Sequence, residues 1–466
     1  MTSGEDAEMG GFYPSICAGS SIDIARERRN HLRMKMPFRS AGALVAIVAA
    51  MLSVLGAQSP PEPKPAFAGQ TDAPAPGKPS PPITVQTVAG GLTGAWAFAI
   101  LPNGALLVTQ NSGTMRIVRP DNGSVSAPLT GVPPVKSAAA QGLHDVVLDP
   151  DFAKNRTLYF TYFAPPRGEP AASWPITHFY EDVWTKPFAE RRTMDLGTDR
   201  VARAKLSEDY STLTDVDVLA EGVERNIVLA PDGTMFVLGA DRFRFYDSDL
   251  DGVSHDFTDN PDIRRNFTGR AIRINRDGSI PKNNPWLNRA TVLRETFAHG
   301  FKDPEGAAIN PLTRELWAVD HGPQGGDEIN IVRAGRDYGW PDVSYGTQYD
   351  ARQSDGKKNV PVGSGANRKE GVEEPIYFWV PSIAPSGMMF YTGDLFPDWK
   401  GNLFVGSMSA EHGHKLVRLV LNGDRVVAEE KLLADRKGRI RFMRQAPDGS
   451  IYLIAGAEIW RLTPKK

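Results

Sequence analysis

The chain has 466 residues, 41% of them hydrophobic, with 53 basic and 55 acidic side chains and a net charge of -2. That composition allows a large core and lacks the basic excess of a nucleic-acid binder, so no nucleic-acid partner is expected. The single cysteine, Cys17, lies near the start of the chain, so the body has no disulfide framework, cysteine-based zinc cluster or thiol nucleophile.

Residues 1–57 read as a leader and export signal. Arg33, Lys35 and Arg39 precede an apolar run from Ala41 to Ala57, long enough for a signal core and short for a spanning helix. Ala66-Phe67-Ala68 fits a small-x-small cleavage pattern, and the bond after Ala57 is a rival. An uncleaved single-span anchor is the alternative. Residues 1–33 read as an upstream start or a disordered leader, because Met34 and Met36 are plausible starts. The expected location is the periplasm or the exterior. Residues 58–82, ending Pro79-Ser-Pro-Pro82, read as a Pro-rich extended linker without a core.

From residue 83 to 466 one unit recurs: an apolar residue, Pro, Asp or Asn, then Gly, followed by alternating apolar residues. Clear copies start at Leu101, Ala230 and Ala446. Looser ones start at Asp149, Asn310 and Phe396. Proline sets φ, Asp or Asn caps the turn, and glycine accepts positive φ, so each unit is a tight turn leading into a strand. Six units predict an all-β, six-bladed β-propeller, one radial sheet per unit. A pair of β-sandwiches is the alternative.

Residues 164–198 interrupt the pattern as a loop insertion rich in aromatics, among them Trp174, Tyr180 and Trp184. These either line a sugar site or pack the loop onto the scaffold. Asp247-Ser-Asp-Leu-Asp-Gly252 places Asp247, Asp249 and Asp251 as the opening half of an EF-hand-type loop, without the usual glutamate at position 12. A calcium site and a solvated acidic turn both fit it. His321-Gly-Pro-Gln-Gly-Gly-Asp-Glu-Ile-Asn330 reads as a constrained loop after a strand. Its exposed carbonyls and nearby carboxylates suit a hard cation. A plain inter-strand turn with Asp327 and Glu328 solvated is the bland alternative.

That run resembles the signature of soluble PQQ-dependent aldose sugar dehydrogenases, the glucose/sorbosone dehydrogenase family. The likeness continues through Gly142-Leu-His-Asp-Val-Val-Leu-Asp-Pro-Asp-Phe152, Ala271 to Pro281, Gly300-Phe-Lys-Asp-Pro-Glu-Gly306, Pro381 to Gly387 and Arg439-Ile-Arg441. The resemblance implies PQQ and calcium as cofactors, with hydride transfer from an aldose sugar or related alcohol to the quinone. It implies that the carbonyls of Gly322 and Pro323 hold the calcium. Arg439 and Arg441 would fork onto the cofactor's carboxylates. Ser382, Lys302 and Gln141 (or its neighbour Ala140) would also reach the cofactor. Glu328 and Tyr338 match a second, structural calcium site.

The chain departs from the family at the general base. The family's histidine precedes the third blade turn, where this chain reads Gly222-Val-Glu-Arg-Asn-Ile-Val-Leu229. The family's Arg-Asn-Pro-Gln reads Lys302-Asp303-Pro304-Glu305, and a usual lysine falls on Ser409. Glu224 and Asp303 are therefore the candidate catalytic groups, although a carboxylate beside calcium and arginine is a weak base. His144 and His321 are expected to satisfy local hydrogen bonds. No P-loop, His-Glu-x-x-His or Gly-x-Ser-x-Gly motif is present. The leading reading is an exported quinoprotein that oxidises a small sugar or alcohol and passes electrons to an acceptor the sequence does not identify. The rival is a non-catalytic ligand-binding propeller derived from the same family.

Overall fold

Each proline turn joins the first two strands of a four-stranded antiparallel sheet in the computed structural model. It describes residues 63–137, 141–165, 197–223, 225–241, 269–289, 292–349, 358–410 and 415–465. The turn chemistry is the one the repeat predicts. The amides of Gly104, Gly233 and Gly449 donate to Leu101, Ala230 and Ala446 at 2.9, 3.1 and 2.9 Å. All three glycines have φ between +81° and +88°, where a side chain would be strained. The side-chain oxygens of Asn103, Asp232 and Asp448 each accept from the amide two residues on.

Six sheets form six blades. The inner strands are Ala95–Ile100, Leu143–Leu148, Ile227–Leu229, Pro304–Ile309, Pro385–Phe390 and Ile440–Gln445, for blades 1 to 6 in order. Neighbouring inner strands touch around a closed ring. Blade 6 is completed by the first strand of the body, Ile83–Ala89, which pairs antiparallel with Glu458–Pro464. The fold is a six-bladed β-propeller. Its hydrophobic core is divided among the blade interfaces. Leu107 and Phe160 pack between blades 1 and 2, and Trp317 and Phe390 between blades 4 and 5. Fully burying one such side chain stabilises by about 1.5–3 kcal/mol.

Residues 63–82 differ from the expected linker. They hold no regular strand, as their proline content dictates, yet they are strapped onto blades 4 and 5. Gln70 is fully buried and donates to the Pro375 carbonyl at 2.7 Å. Ser80 donates to Glu430 at 2.6 Å and accepts from the Trp399 indole at 2.9 Å. The Arg425 guanidinium lies 3.6 Å over the Phe67 ring. Proline removes N–H donors, and the polar groups that remain find partners on the propeller.

The turns stand on one rim. The inner strands begin on the other, where the second and third strands of each blade are also joined. The 164–198 insertion leaves from this second rim, with Ala164 paired to Thr198. Residues 166–196 and the Asp247, Asp249, Asp251 loop lie outside the described residues, as do Glu224 and the leader.

Candidate active site

Four inner strands, and the segment leading into a fifth, each deliver one side chain toward the propeller axis. Trp96, His144, Arg225, Glu305 and Arg441 all stand six residues before a turn proline, at 102, 150, 231, 311 and 447. A constant distance along one strand from a constant turn places each side chain at the same height, facing the axis. Their contacts follow round the ring. Trp96 stacks on His144 with ring centroids 4.3 Å apart, and the Arg441 guanidinium lies 3.4 Å over Trp96. Arg441 Nη2 is 3.0 Å from Glu305 Oε2, and Glu305 Oε1 is 3.6 Å from Arg225 Nη1. Blade 5 departs from the count because a longer segment joins its first two strands, so that Pro397 stands farther past the end of the inner strand at Phe390.

Asp303 joins this ring from the start of blade 4, with Oδ1 2.9 Å from Arg225 Nη2. Burial pushes its carboxyl up, but Arg225, Lys302, His321 and Arg441 outweigh burial and hold it below the ordinary value. Beneath it, Asp320 accepts the amides of Lys302 and Asp303 at 2.8 and 2.6 Å. Burial drives Asp320 up to about 7. The Lys302 ammonium donates to the His321 carbonyl at 2.8 Å and faces the rings of Trp340 and Tyr349. Burial, then Lys302, pushes His321 down to about 3, so its imidazole is neutral at physiological pH.

The His321–Gly326 loop follows directly. A Cβ on Gly322 would lie 2.2 Å from the Gly326 carbonyl oxygen, so only glycine allows this fold. Asp327 closes the loop. Its fully buried carboxylate accepts from Gly322 N at 3.0 Å, Ile383 N at 2.7 Å and the Ser382 hydroxyl at 2.8 Å. Burial pushes Asp327 up to about 7 and Glu328 up to about 8. Gly322, Pro323, Ser382, Lys302 and the two arginines therefore share one rim.

The ligand atoms of Asp303, Glu305 and His321 converge within 4.8 Å of one another, beside the Gly322 loop. Gln141 sits two residues before the inner strand of blade 2, with a buried Oε1 that makes no hydrogen bond. Arg439 and Arg441 both direct guanidinium nitrogens at Met408 Sδ, at 3.6 and 3.2 Å. Burial lowers Arg441 to about 10. Glu328 and Tyr338 have different partners. The Glu328 carboxylate accepts from Asn330 at 3.1 Å. The Tyr338 hydroxyl donates to the Ile331 carbonyl at 2.6 Å and accepts from the Arg333 amide.

His144, expected to satisfy a local hydrogen bond, also stacks on Trp96 within the ring. Arg225, Glu305, Trp96 and Asp327 belong to the site, though reading motifs one at a time did not select them. The offset of six residues from each turn proline was the available signal for the first three.

Residues 92–462 match the family described as Glucose / Sorbosone dehydrogenase. The Escherichia coli protein named Aldose sugar dehydrogenase YliI is 30% identical over 82% of this chain and 93% of its own length. The crystal structure of the soluble E. coli aldose sugar dehydrogenase in the apo-form superposes with a TM-score of 0.66 at 30% identity, covering 82% of this chain and all of that one. The PQQ-bound aldose sugar dehydrogenase of Streptomyces coelicolor, 21% identical with a TM-score of 0.58, covers 82% of this chain and 99% of its own and shares the fold. With the match running across all six blades, this chain belongs to the glucose/sorbosone dehydrogenase family.

Proposed function

We propose that this chain is an exported, PQQ- and calcium-dependent dehydrogenase acting on an aldose sugar or related alcohol. One observation carries the reading: the Arg439/Arg441 pair and the Gly322–Pro323 loop meet on one rim, linked through Glu305, Asp303 and the Lys302–His321 contact. The residues present suit a flat anionic group. Arg441 Nη2 is buried, with Glu305 Oε2 3.0 Å away but out of line for a hydrogen bond, and Gln141 Oε1 is a buried acceptor awaiting a donor. PQQ held there would supply the hydride acceptor.

The chain's own residues have defined tasks. Arg439 and Arg441 neutralise carboxylates, and Ser382 and Gln141 orient the group that carries them. The carbonyls of Gly322 and Pro323 offer oxygens to calcium, with Asp303 as an anionic neighbour. Asp303 takes the substrate hydroxyl proton at a carboxylate oxygen. Arg225 and Lys302 keep it ionised and make it a weak base.

A second reading, a ligand-binding propeller without turnover, is favoured by Arg225, which fills the segment where a histidine base was expected. One assay decides between them. Purified protein is mixed with PQQ and calcium, then given aldoses and an artificial electron acceptor. Dye reduction supports the enzyme, cofactor binding without reduction supports the second reading, and no binding ends both.

A further inference from the structure

We propose that Glu305 is a built-in occupant of the anion seat at Arg441, so that a carboxylate-bearing ligand binds there by exchanging with the chain's own carboxylate. The proposal rests on the reading of this rim as the cofactor site and deepens it.

The surroundings of Arg441 leave little choice of partner. Trp96 covers one face of the guanidinium at 3.4 Å, Nη1 points at Met408 Sδ at 3.2 Å, and Nη2 meets Glu305 at 3.0 Å. The side chains of Arg441 and Glu305 are 15% and 7% exposed, so water screens the pair poorly. An arriving carboxylate competes with Glu305 for Nη2. If both anions stay, they crowd each other unfavourably. Exchange does not strand the displaced group, because Arg225 Nη1 stands 3.6 Å from its other oxygen. Arg439, whose nearby acceptor is the weak Met408 sulfur, is open to a second carboxylate. The rim thus selects polycarboxylates, which gain two cations for the one they must win from Glu305. E305D is the control for charge, because it keeps an anion on the rim and withdraws only its reach to Arg441.

The test is calorimetric titration of the full chain, freed of cofactor, with two probes: PQQ, and citrate, a tricarboxylate without a quinone. E305Q removes the competing charge, and E305D keeps the charge but shortens its reach. Both are expected to bind the probes about 10–100-fold tighter than wild type, the range for relieving one competing charged contact. Probes bound no tighter by E305Q and E305D would overturn the proposal, as would tightening by E305Q alone, which would signal a general field effect. If citrate follows the expected pattern while PQQ binds nothing, the cofactor reading falls and the exchange stands. If PQQ binds wild type and both Glu305 variants alike, the reverse holds. Ligand-free thermal unfolding verifies folding, and E305D carries the comparison should E305Q not fold.

Discussion

The Ser382 hydroxyl rests on the Asp327 carboxylate, 2.8 Å from Oδ2 and 3.0 Å from Oδ1. The same carboxyl group takes the amides of Gly322 and Ile383, so one buried side chain ties the blade 4 loop to the entry of blade 5. D327A leaves these donors without an acceptor and is expected to destabilise the protein by more than about 3 kcal/mol, against about 1 kcal/mol for S382A. Urea unfolding of both variants measures the difference. Equal losses would show that Asp327 is not the clamp.

Arg225 sets the acidity of Asp303. Burial favours the protonated carboxyl, and Arg225 is the strongest of the cations that override it. R225M removes that cation, so the folded-state pKa rises and Asp303 stays protonated to higher pH. The acid limb of the pH–rate profile, measured with PQQ and calcium supplied, is expected to move upward. An unmoved limb assigns that titration to another group.

Asp149 staples the blade 2 turn on the opposite rim. It accepts from Asp151 N and Asn155 Nδ2 at 2.9 Å, the Tyr159 hydroxyl at 2.8 Å and Arg276 at 3.1 Å. Burial pushes the carboxyl up, but these bonds outweigh it and hold it below its ordinary value. A depressed carboxyl contributes stability that is present above its unfolded value and lost as pH falls through the folded one. D149N is expected to cost about 1.5–3 kcal/mol at pH 7, with the gap to wild type closing on acidification. Unfolding curves at both ends of that pH range check the sign.

The strap is structural. Gln70 accepts from the Ala66 amide, donates to Pro375, and lends its carbonyl to the Phe378 amide at 2.9 Å. Q70A is expected to cost about 1–3 kcal/mol and to expose the segment before residue 83 to protease. Limited proteolysis followed by N-terminal sequencing reads this directly. Cleavage as slow as in wild type would show that Gln70 does not anchor the strap.

Much of the fold was legible because its punctuation is local. Pro102, Pro231 and Pro447 announce their turns through residues whose φ and side-chain acceptors determine the outcome within four positions. Much of the candidate site was legible too, through Gly322, Pro323, Ser382 and the paired arginines. What stayed hidden depends on how blades meet. Glu305 and Arg441 are far apart along the chain, and nothing near either one announces their ion pair. The strap was misjudged for a related reason. A proline-rich segment lacks the periodicity of a packed element, yet Gln70 is held by groups from blade 4.

Blade 6 carries Arg439 and Arg441 at its inner edge and is sealed at its outer edge by the strand Ile83–Ala89 against Glu458–Pro464. The earliest and latest strands of the propeller therefore meet in the sheet that presents the cationic fork. The arginine pair and the sealing partner Glu458–Pro464 are thus synthesised close together, and a product terminated before Arg439 loses both in a single event.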